Sequence, residues 1–287
     1  MSESASLAER RGPQLAPALD RVAQWPWWLL VAIALGLFVA LSILTDAQMT
    51  VIFRAVAQGL RITIGVTIAG YSLALLIGLL VGLGRVSQNR LVYNVASFYV
   101  EVVRGIPMLV LLLYIAFVVV PLVVGALNSL GSWLLSSGMG FGEFLAELST
   151  RDLSFILRVV IGLGIGYGAF EAEVFRAGIE SIPKGQMEAA RSLGMTHYHA
   201  MRYIILPQAV RNVMPALGND FVAMLKDSAL VSVLGVRDIT QIAKLYAAST
   251  FLFFQTYNIL VFLYLVMTIL LTRLVRYMER RLGGGRR

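Results

Sequence analysis

The chain has 287 residues, of which 58% are hydrophobic and only 14% are charged, and its formal net charge is +8. With apolar runs along the whole length and a mean hydropathy of +0.78, this composition excludes a soluble globular domain and predicts an all-α polytopic integral membrane protein. The absence of cysteine excludes thiol chemistry, disulfides and thiolate metal sites.

The spans can be placed from the apolar runs, since a bilayer core of about 30 Å needs about 20 mostly apolar residues per helix. The sequence predicts a helix bundle with about six transmembrane helices. They lie at 27–45, 59–84, 98–124, 153–175, 216–236 and 252–274. The first run is too long for the apolar region of a signal peptide and lacks a cleavage motif, so we interpret it as a retained span.

Basic residues are unevenly distributed among the segments that join these runs. If the N-terminus is cytoplasmic, most arginines and lysines lie on the inner side, as the positive-inside rule requires. We therefore expect both termini to be cytoplasmic. The net positive charge then serves topology and attraction to anionic lipid. No nucleic-acid partner is predicted, because no basic stripe alternates with aromatic residues.

The polar segments divide the chain further. We expect a loose cytoplasmic N-terminal tail at 1–24, an additional N-terminal span within 25–54 and a short cytoplasmic C-terminal tail at 281–287. The glycine- and serine-rich segment 125–152 is predicted to be a long external connection, partly amphipathic near its end. Residues 177–214 form the longest polar stretch between spans and lie inside in this topology.

Residues 177–214 contain residue types that mark the starts and ends of helices. Pro183 opens a turn, and residues 186–193 are good helix formers. Gly194 can adopt the left-handed conformation that ends a helix. A second helix is predicted to begin after Thr196 as N-cap and to end near Pro207, which cannot donate an amide hydrogen bond. The pattern alone also fits an ordinary amphipathic loop lying on its own protein.

The same segment carries a spaced motif: Glu188-Ala189-Ala190, then Gly194 after three residues, then Ile204-x-Leu206-Pro207 after nine more. This resembles the cytoplasmic EAA loop of permease subunits of bacterial ATP-binding-cassette importers. The resemblance implies a coupling helix that inserts into a groove of the ATP-hydrolysing subunit. The coupling residues it implies are Glu188, Ala189, Ala190, Arg191, Gly194, Ile204, Leu206 and Pro207.

Further elements resemble the polar amino acid uptake branch of that family. They are Glu101-x-x-Arg104-Gly105-x-Pro107, Gly168-Ala169-x-x-Ala172-Glu173-x-x-Arg176, and Leu225 to Ser232. The similarity covers about residues 55–280, which it identifies as a five-helix permease domain. The chain departs from the usual residues at Ile106, Leu111, Phe170 and Met224, so a particular amino acid specificity does not transfer.

The resemblance also implies partners and a location. A separate cytoplasmic ATPase subunit would bind ATP and Mg, an extracytoplasmic binding protein would deliver an amino acid, and this chain would bind no cofactor itself. A second permease, either an identical copy or a similar chain, would complete the pathway in the bacterial inner membrane. The chain has no G-x-x-x-x-G-K-[ST] motif, so we expect it to be a transport subunit and not an enzyme.

Charged residues at membrane depth are functional candidates, because burying them unpaired costs several kcal/mol. We hypothesise that Lys226 with Asp227, and Glu171 or Glu173, shape a polar cavity for an amino acid; internal ion pairs are the alternative. Asp220 lies seven residues before Asp227 and hence on a similar helix face. The full set of pathway candidates is Glu101, Arg104, Glu171, Glu173, Asp220, Lys226 and Asp227. No metal site is predicted, because His197 and His199 point to different faces of a helix.

The alternating glycines from Gly162 to Gly168 sit in an apolar run with no preceding strand and no following lysine. Close helix packing is therefore predicted there, as for Gly78 and Gly82, and a nucleotide loop is not. Two other function classes remain open from sequence. One is a channel or secondary carrier for a small polar solute, or an importer of a related amino acid derivative. The other is an intramembrane enzyme or an assembly scaffold.

Overall fold

The computed structural model describes residues 27–282, and each secondary-structure element in this range is a helix. The predicted tail at 1–24 and residues 283–287 of the predicted C-terminal tail lie outside the described residues. The chain divides into two compact units between Val51 and Ile52. The all-α membrane fold predicted from sequence is confirmed.

The first unit contains helix α1, Trp27–Thr45, and the start of α2, Ala47–Ala57. Helix α1 coincides with the predicted first span. Asp46 separates the two helices, and its Oδ1 accepts a 2.8 Å hydrogen bond from the amide of Gln48. Large apolar side chains along α1 are exposed, as suits a helix that contacts lipid.

The second unit contains the remaining helices. They are α3 Leu60–Arg85, α4 Arg90–Arg104, α5 Met108–Tyr114, α6 Val120–Ser136, α7 Gly142–Ala146, α8 Phe155–Glu180, α9 Lys184–Ser192, α10 His197–Ala200, α11 Leu206–Asp227, α12 Ile239–Thr250 and α13 Phe253–Leu282. Two π-helical turns, Ile115–Val119 and Met201–Ile205, and a 3₁₀ segment, Ser228–Leu234, continue these helices.

Four helical stretches in the described residues are long and apolar enough to cross a membrane: Ala47–Arg85, Met108–Ser136, Phe155–Glu180 and Phe253–Arg280. They correspond to four of the predicted spans. Helix α1 supplies a shorter apolar stretch, Leu30–Thr45. The span predicted at 216–236 has different bounds, because its helix α11 already begins at Leu206 and changes to 3₁₀ geometry after Asp227.

Two other predicted segments also differ from the structure. The span predicted at 98–124 is interrupted, because α4 ends at Arg104 and a new helix starts after Pro107, whose ring fixes φ and removes a donor. In the connection predicted at 125–152, α6 continues to Ser136. Helix α7 then folds back so closely that a Cβ on Gly131 would contact the backbone of Ala146. Helix α12 was not predicted.

Helices α3 and α8 form the centre of the second unit and approach each other through glycines. A Cβ on Gly164 would lie 2.6 Å from Leu73 Cδ2, and one on Gly168 would lie 2.8 Å from Ile77 Cγ2. From the other side, a Cβ on Gly82 would lie 2.9 Å from the carbonyl oxygen of Ala172. The packing role predicted for these glycines is confirmed.

The intervening glycines of α8 face a different neighbour. A Cβ on Gly162 would lie 2.7 Å from Leu112 Cδ2 of α5, and one on Gly166 would lie 2.7 Å from Met108 Cε. Because glycines alternate along α8, two faces of this helix carry no side chains at the points of contact. One packs on α3 and the other on α5, which leaves α8 largely buried.

A buried arginine holds the chain that leads into α8. Arg158 is 8% exposed; its Nε donates to the carbonyl of Leu153 at 2.9 Å, and its NH1 to that of Ala116 at 3.1 Å. A further hydrogen bond reaches the carbonyl of Thr150. Because Ala116 lies in the π-helical turn after α5, Arg158 fastens the segment before α8 to that turn.

We predict that Gly164→Val destabilises the protein by about 1–3 kcal/mol, because the added side chain overpacks the α3–α8 contact. Gly125→Val in α6 is the matched control, since a Cβ there has no neighbour within 4 Å. The measurement is the temperature at which the purified protein loses its monodisperse peak in detergent. Equal losses for both variants would contradict the packing role.

Candidate functional site

The predicted coupling motif forms a helix–elbow–helix element. Helix α9 ends at Ser192, and Gly194 adopts φ = +78°, the left-handed conformation predicted for it. The amide of Gly194 donates to the carbonyl of Arg191 at 2.9 Å, and that of Met195 to Ala190 at 3.1 Å. This pair of bonds closes a helix end and fixes the direction of the following chain.

The second half of the element begins as predicted, since the Thr196 hydroxyl accepts a hydrogen bond from the amide of His199 at 3.3 Å. The prediction that this helix ends near Pro207 is wrong. The amide of Leu206 bonds to the carbonyl of Met201, five residues back, in a π-helical turn. Pro207 then occupies the first turn of α11, where the missing amide costs little.

The element is held on the ends of α3 and α8 by an apolar cluster. Ile179 and Ile182 pack with Ile205 and Ala209, and the motif residues Ile204 and Leu206 lie against them. Two polar contacts cross the same junction: Gln208 with Gln186 at 3.4 Å, and Asn212 with Ser181 at 3.0 Å. The element is therefore seated on the bundle.

One face of α9 is buried and the other is open. Ala190 is 1% exposed, whereas Glu188, Ala189 and Arg191 are exposed. Leu193 at the elbow is 80% exposed. The exposed side is short, polar at its edges and smooth in the middle, which suits insertion into a groove on another protein.

A second candidate site lies between α4, α5, α8 and α11. It is a cavity of about 260 Å³ lined by Val103, Ile106, Met108, Leu111, Tyr167, Phe170, Asp220, Ala223 and Asp227. The hydroxyl of Tyr167 donates to Asp227 Oδ2 at 2.8 Å. The structure thus brings Asp220 and Asp227 together, whereas Lys226 is exposed on another face of α11. In the part of the chain that the structure describes, no lysine or arginine lines this cavity.

Arg104 lies beside this cavity. Its guanidinium carbon is 5.5 Å from the centre of the Phe170 ring, which lines the wall. Arg104 follows the lining residue Val103 on α4.

Glu171 is placed differently from the other candidates. It is fully buried, and neither carboxyl oxygen has a hydrogen-bond partner among the described residues. A Cβ on Gly78 would contact the Cβ of Glu171, so the glycine of α3 makes room for this side chain. Glu171 follows the lining residue Phe170, but it points into the α3–α8 contact and does not line the cavity.

Glu101 and Glu173 belong to an ion-pair network. Arg85 NH1 is 2.5 Å from Glu173 Oε2, and Arg85 NH2 is 3.9 Å from Glu101 Oε1. Arg176 also pairs with Glu173 and contacts Glu180 at 2.5 Å. The pairs made by Glu173 tie α3 to α8, so Glu173 has the internal pairing that the sequence left as an alternative, whereas the Glu101 side chain is 74% exposed and lies at the edge of the network.

Tyr167 and Phe170 were not predicted as site residues. Their ring centres are 6.1 Å apart, and both line the cavity with the two aspartates. The signal was present in the sequence, because a tyrosine in an apolar run needs a hydrogen-bond partner and stands three residues before Phe170. Within residues 27–282, no group of three or more His, Asp or Glu side chains is arranged to hold a metal ion.

Comparison with known proteins agrees with this arrangement. Residues 74–284 match the family model for the inner membrane component of binding-protein-dependent transport systems. The probable amino-acid permease protein YxeN of Bacillus subtilis is 32% identical over 231 residues, which cover 80% of this chain and 92% of that protein. The histidine/lysine/arginine/ornithine transport system permease protein HisQ of Escherichia coli is 33% identical, with coverage of 80% and 94%.

A solved structure, described as an amino acid ABC transporter with histidines, has a chain that is 38% identical to this one. The TM-score is 0.65, and the match covers 83% of this chain and 98% of that chain. In this family, ATP hydrolysis lies in a separate subunit. The match over most of the chain shows that it belongs to the inner membrane components of binding-protein-dependent transport systems, the permease subunits of ATP-binding-cassette importers.

Proposed function

We propose that this chain forms the membrane pathway of an ATP-driven importer for a cationic amino acid. The observation that carries the substrate class is the cavity between α4, α5, α8 and α11. It holds the carboxylates of Asp220 and Asp227 and has no basic residue among the described residues of its wall. Since charge complementarity contributes to the choice of ligand, two carboxylates in such a cavity favour ammonium, guanidinium or imidazolium groups.

An amino acid also carries a carboxylate, which needs a positive partner. Arg104 is suited to this role, because a guanidinium binds a carboxylate through two parallel hydrogen bonds. Its position over Phe170 puts it at the rim of the cavity. Two carboxylates against one guanidinium leave an excess of negative charge, which matches a substrate with a cationic side chain. The name of the relative HisQ, which specifies histidine, lysine, arginine and ornithine, supports this class.

The outer face of α11 supports a second permease copy as partner. Asn212, Asn219 and Lys226 lie at seven-residue spacing on this helix and are all exposed. Exposing such a polar stripe to lipid is unfavourable, whereas facing it toward a second copy gives a hydrated path between the two chains. In this arrangement Lys226 lines the path between copies, and Asp220 with Asp227 lie in a recess beside it.

The helix–elbow–helix element is the proposed docking site for the ATPase subunit. Its exposed side, Glu188 to Gly194, would sit in the ATPase groove, and its buried side rests on α3, α8 and α11. ATP and Mg would be bound by that subunit, and a substrate-binding protein would deliver the amino acid at the opposite side. This arrangement requires the element, and with it both termini, to be cytoplasmic.

We expect Asp227→Asn to lower ATP-driven uptake of the cationic amino acid tenfold to a hundredfold. A hydrogen bond to a charged group contributes about 1.5–3 kcal/mol, and about 1.4 kcal/mol is a factor of ten. The measurement is uptake of labelled lysine, arginine, histidine and glutamine into vesicles that contain the permease, its ATPase subunit and the binding protein. Glu143→Gln on α7, an exposed carboxyl outside the cavity, is the control.

If the vesicles import glutamine and Asp227→Asn leaves that uptake unchanged, the proposal of a cationic substrate is wrong. Uptake that persists without ATP would point to a secondary carrier or a channel.

Gly194→Val should uncouple ATP hydrolysis from uptake while the protein remains in the membrane. A β-branched residue is strained at φ = +78°, so the elbow would change direction. Gly194→Asn is the matched control, because asparagine tolerates this conformation. The ratio of amino acid imported to ATP hydrolysed should fall for the valine variant only. An unchanged ratio in both would show that the elbow is not part of the coupling.

The orientation can be tested directly, because the chain contains no cysteine. Single cysteines at Ser192→Cys and Ser137→Cys place one thiol on the elbow element and one directly after α6. A membrane-impermeant maleimide applied to spheroplasts should label the second and reach the first only after lysis. The reverse pattern would place the coupling element outside and exclude the proposed function.

A further inference from the structure

An exposed aromatic and basic surface adjoins the coupling helix, and the coupling motif does not include it. We call it the elbow surface; it consists of Tyr198, His199, Arg202 and Tyr203. Tyr198 is 67% exposed and Tyr203 is 62% exposed. All four side chains belong to the first turns after the elbow, so the surface adjoins the exposed side of α9.

The elbow surface is ordered by contacts among its own members. The His199 ring lies 5.8 Å from Tyr198, edge to face, and 5.9 Å from Tyr203, stacked. The guanidinium carbon of Arg202 is 5.7 Å from the centre of the Tyr203 ring. Thr196 Oγ1 is 2.7 Å from His199 Nδ1, which fixes the orientation of the imidazole. Rings that already hold one another in place lose little entropy when a partner binds.

Within residues 27–282, no other segment covers this surface. On the opposite side of the same helical turns, Ala200 and Ile205 are buried at 0% and 4% exposure. The π-helical turn Met201–Ile205 thus directs its small and aliphatic residues to the bundle and its aromatic and basic residues outward. Exposed tyrosine and arginine side chains are the residue types that contribute most to protein–protein binding.

The charge around the surface specifies the kind of partner. Between residues 181 and 212 the only acidic residue is Glu188, whereas the basic residues are Lys184, Arg191, Arg202 and Arg211, with His197 and His199 beside them. A surface of this composition is complementary to a protein face that carries carboxylates around an apolar cleft. Because the surface adjoins the coupling helix, the favoured partner is the subunit whose groove would receive that helix.

We propose that the elbow surface is a second docking site for the ATPase subunit, one that recognises an acidic, apolar-centred face of that subunit and selects it among ATPases of other importers. The inference rests on the proposed function. Tyr198 to Tyr203 lie in the nine-residue spacer whose identities the coupling motif leaves open. The motif residues are therefore suited to transmit motion, and the spacer is suited to choose the partner.

The test measures the affinity of the purified permease in nanodiscs for its ATPase subunit. Tyr203→Ala should weaken binding at least tenfold, and Arg202→Glu should weaken it more and reduce its dependence on salt. The controls are Tyr93→Ala and Arg90→Glu, both on α4, which make the same chemical changes outside the elbow surface. Both should bind like the unmodified protein.

The outcomes separate this inference from the function on which it rests. If the unmodified permease binds no ATPase, the proposed function fails. If it binds and the elbow-surface variants bind equally well, only the second docking site is wrong. A fluorophore at Tyr203→Cys gives an independent readout: its emission should shift when the ATPase is added. Quenching by brominated lipid with no response to the ATPase would assign the surface to the membrane and overturn the proposal.

Discussion

The contact between α3 and α8 is the constraint on which the rest of the second unit depends. Glycines on both helices let the backbones approach closely, as at Gly82, where a Cβ would lie 2.9 Å from the carbonyl oxygen of Ala172. Such contacts are stiff, because any sliding of one helix along the other meets backbone or Cβ atoms at once. Helix α8 carries the cavity residues Tyr167 and Phe170 near its middle and the cluster residues Ile179 and Ile182 at and beyond its end.

The two candidate sites are joined mechanically by α8 and α11. Helix α11 begins in the coupling element and ends at Asp227, so one helix runs from the docking side to the cavity. It is tied to its neighbours by the Tyr71 hydroxyl, which donates to the Leu217 carbonyl at 2.5 Å, and by Val213, which fits against Gly178. Helix α11 is thus a direct structural connection between the elbow and the cavity residues Asp220 and Asp227, with Pro215 in its interior.

Much of this arrangement was readable from sequence because the signals were local. The glycine elbow, the Thr196 cap and the packing glycines each follow from a residue type that suits one backbone conformation. The predictions were wrong where the course of a helix depends on several consecutive turns together. Pro207 predicts a helix end by itself, and only the π-helical turn before it explains why the helix continues. The true start of α11 could not be predicted from hydropathy, because hydropathy identifies lipid-facing helices and this helix has a polar face. The separation of Lys226 from Asp227 required the geometry of packed helices, because neighbours in sequence point to different sides.

The π-helical turn Met201–Ile205 limits how the sequence of this region can evolve. One extra residue within a helix rotates everything on one side of it by about 100° relative to the other side. The length of the segment between Gly194 and Pro207 thus sets the angle at which the docking face is presented relative to the cavity face of α11. Individual residues such as Tyr198 or Arg202 can be exchanged to suit a different partner, whereas loss of a single codon would turn the whole face away from it.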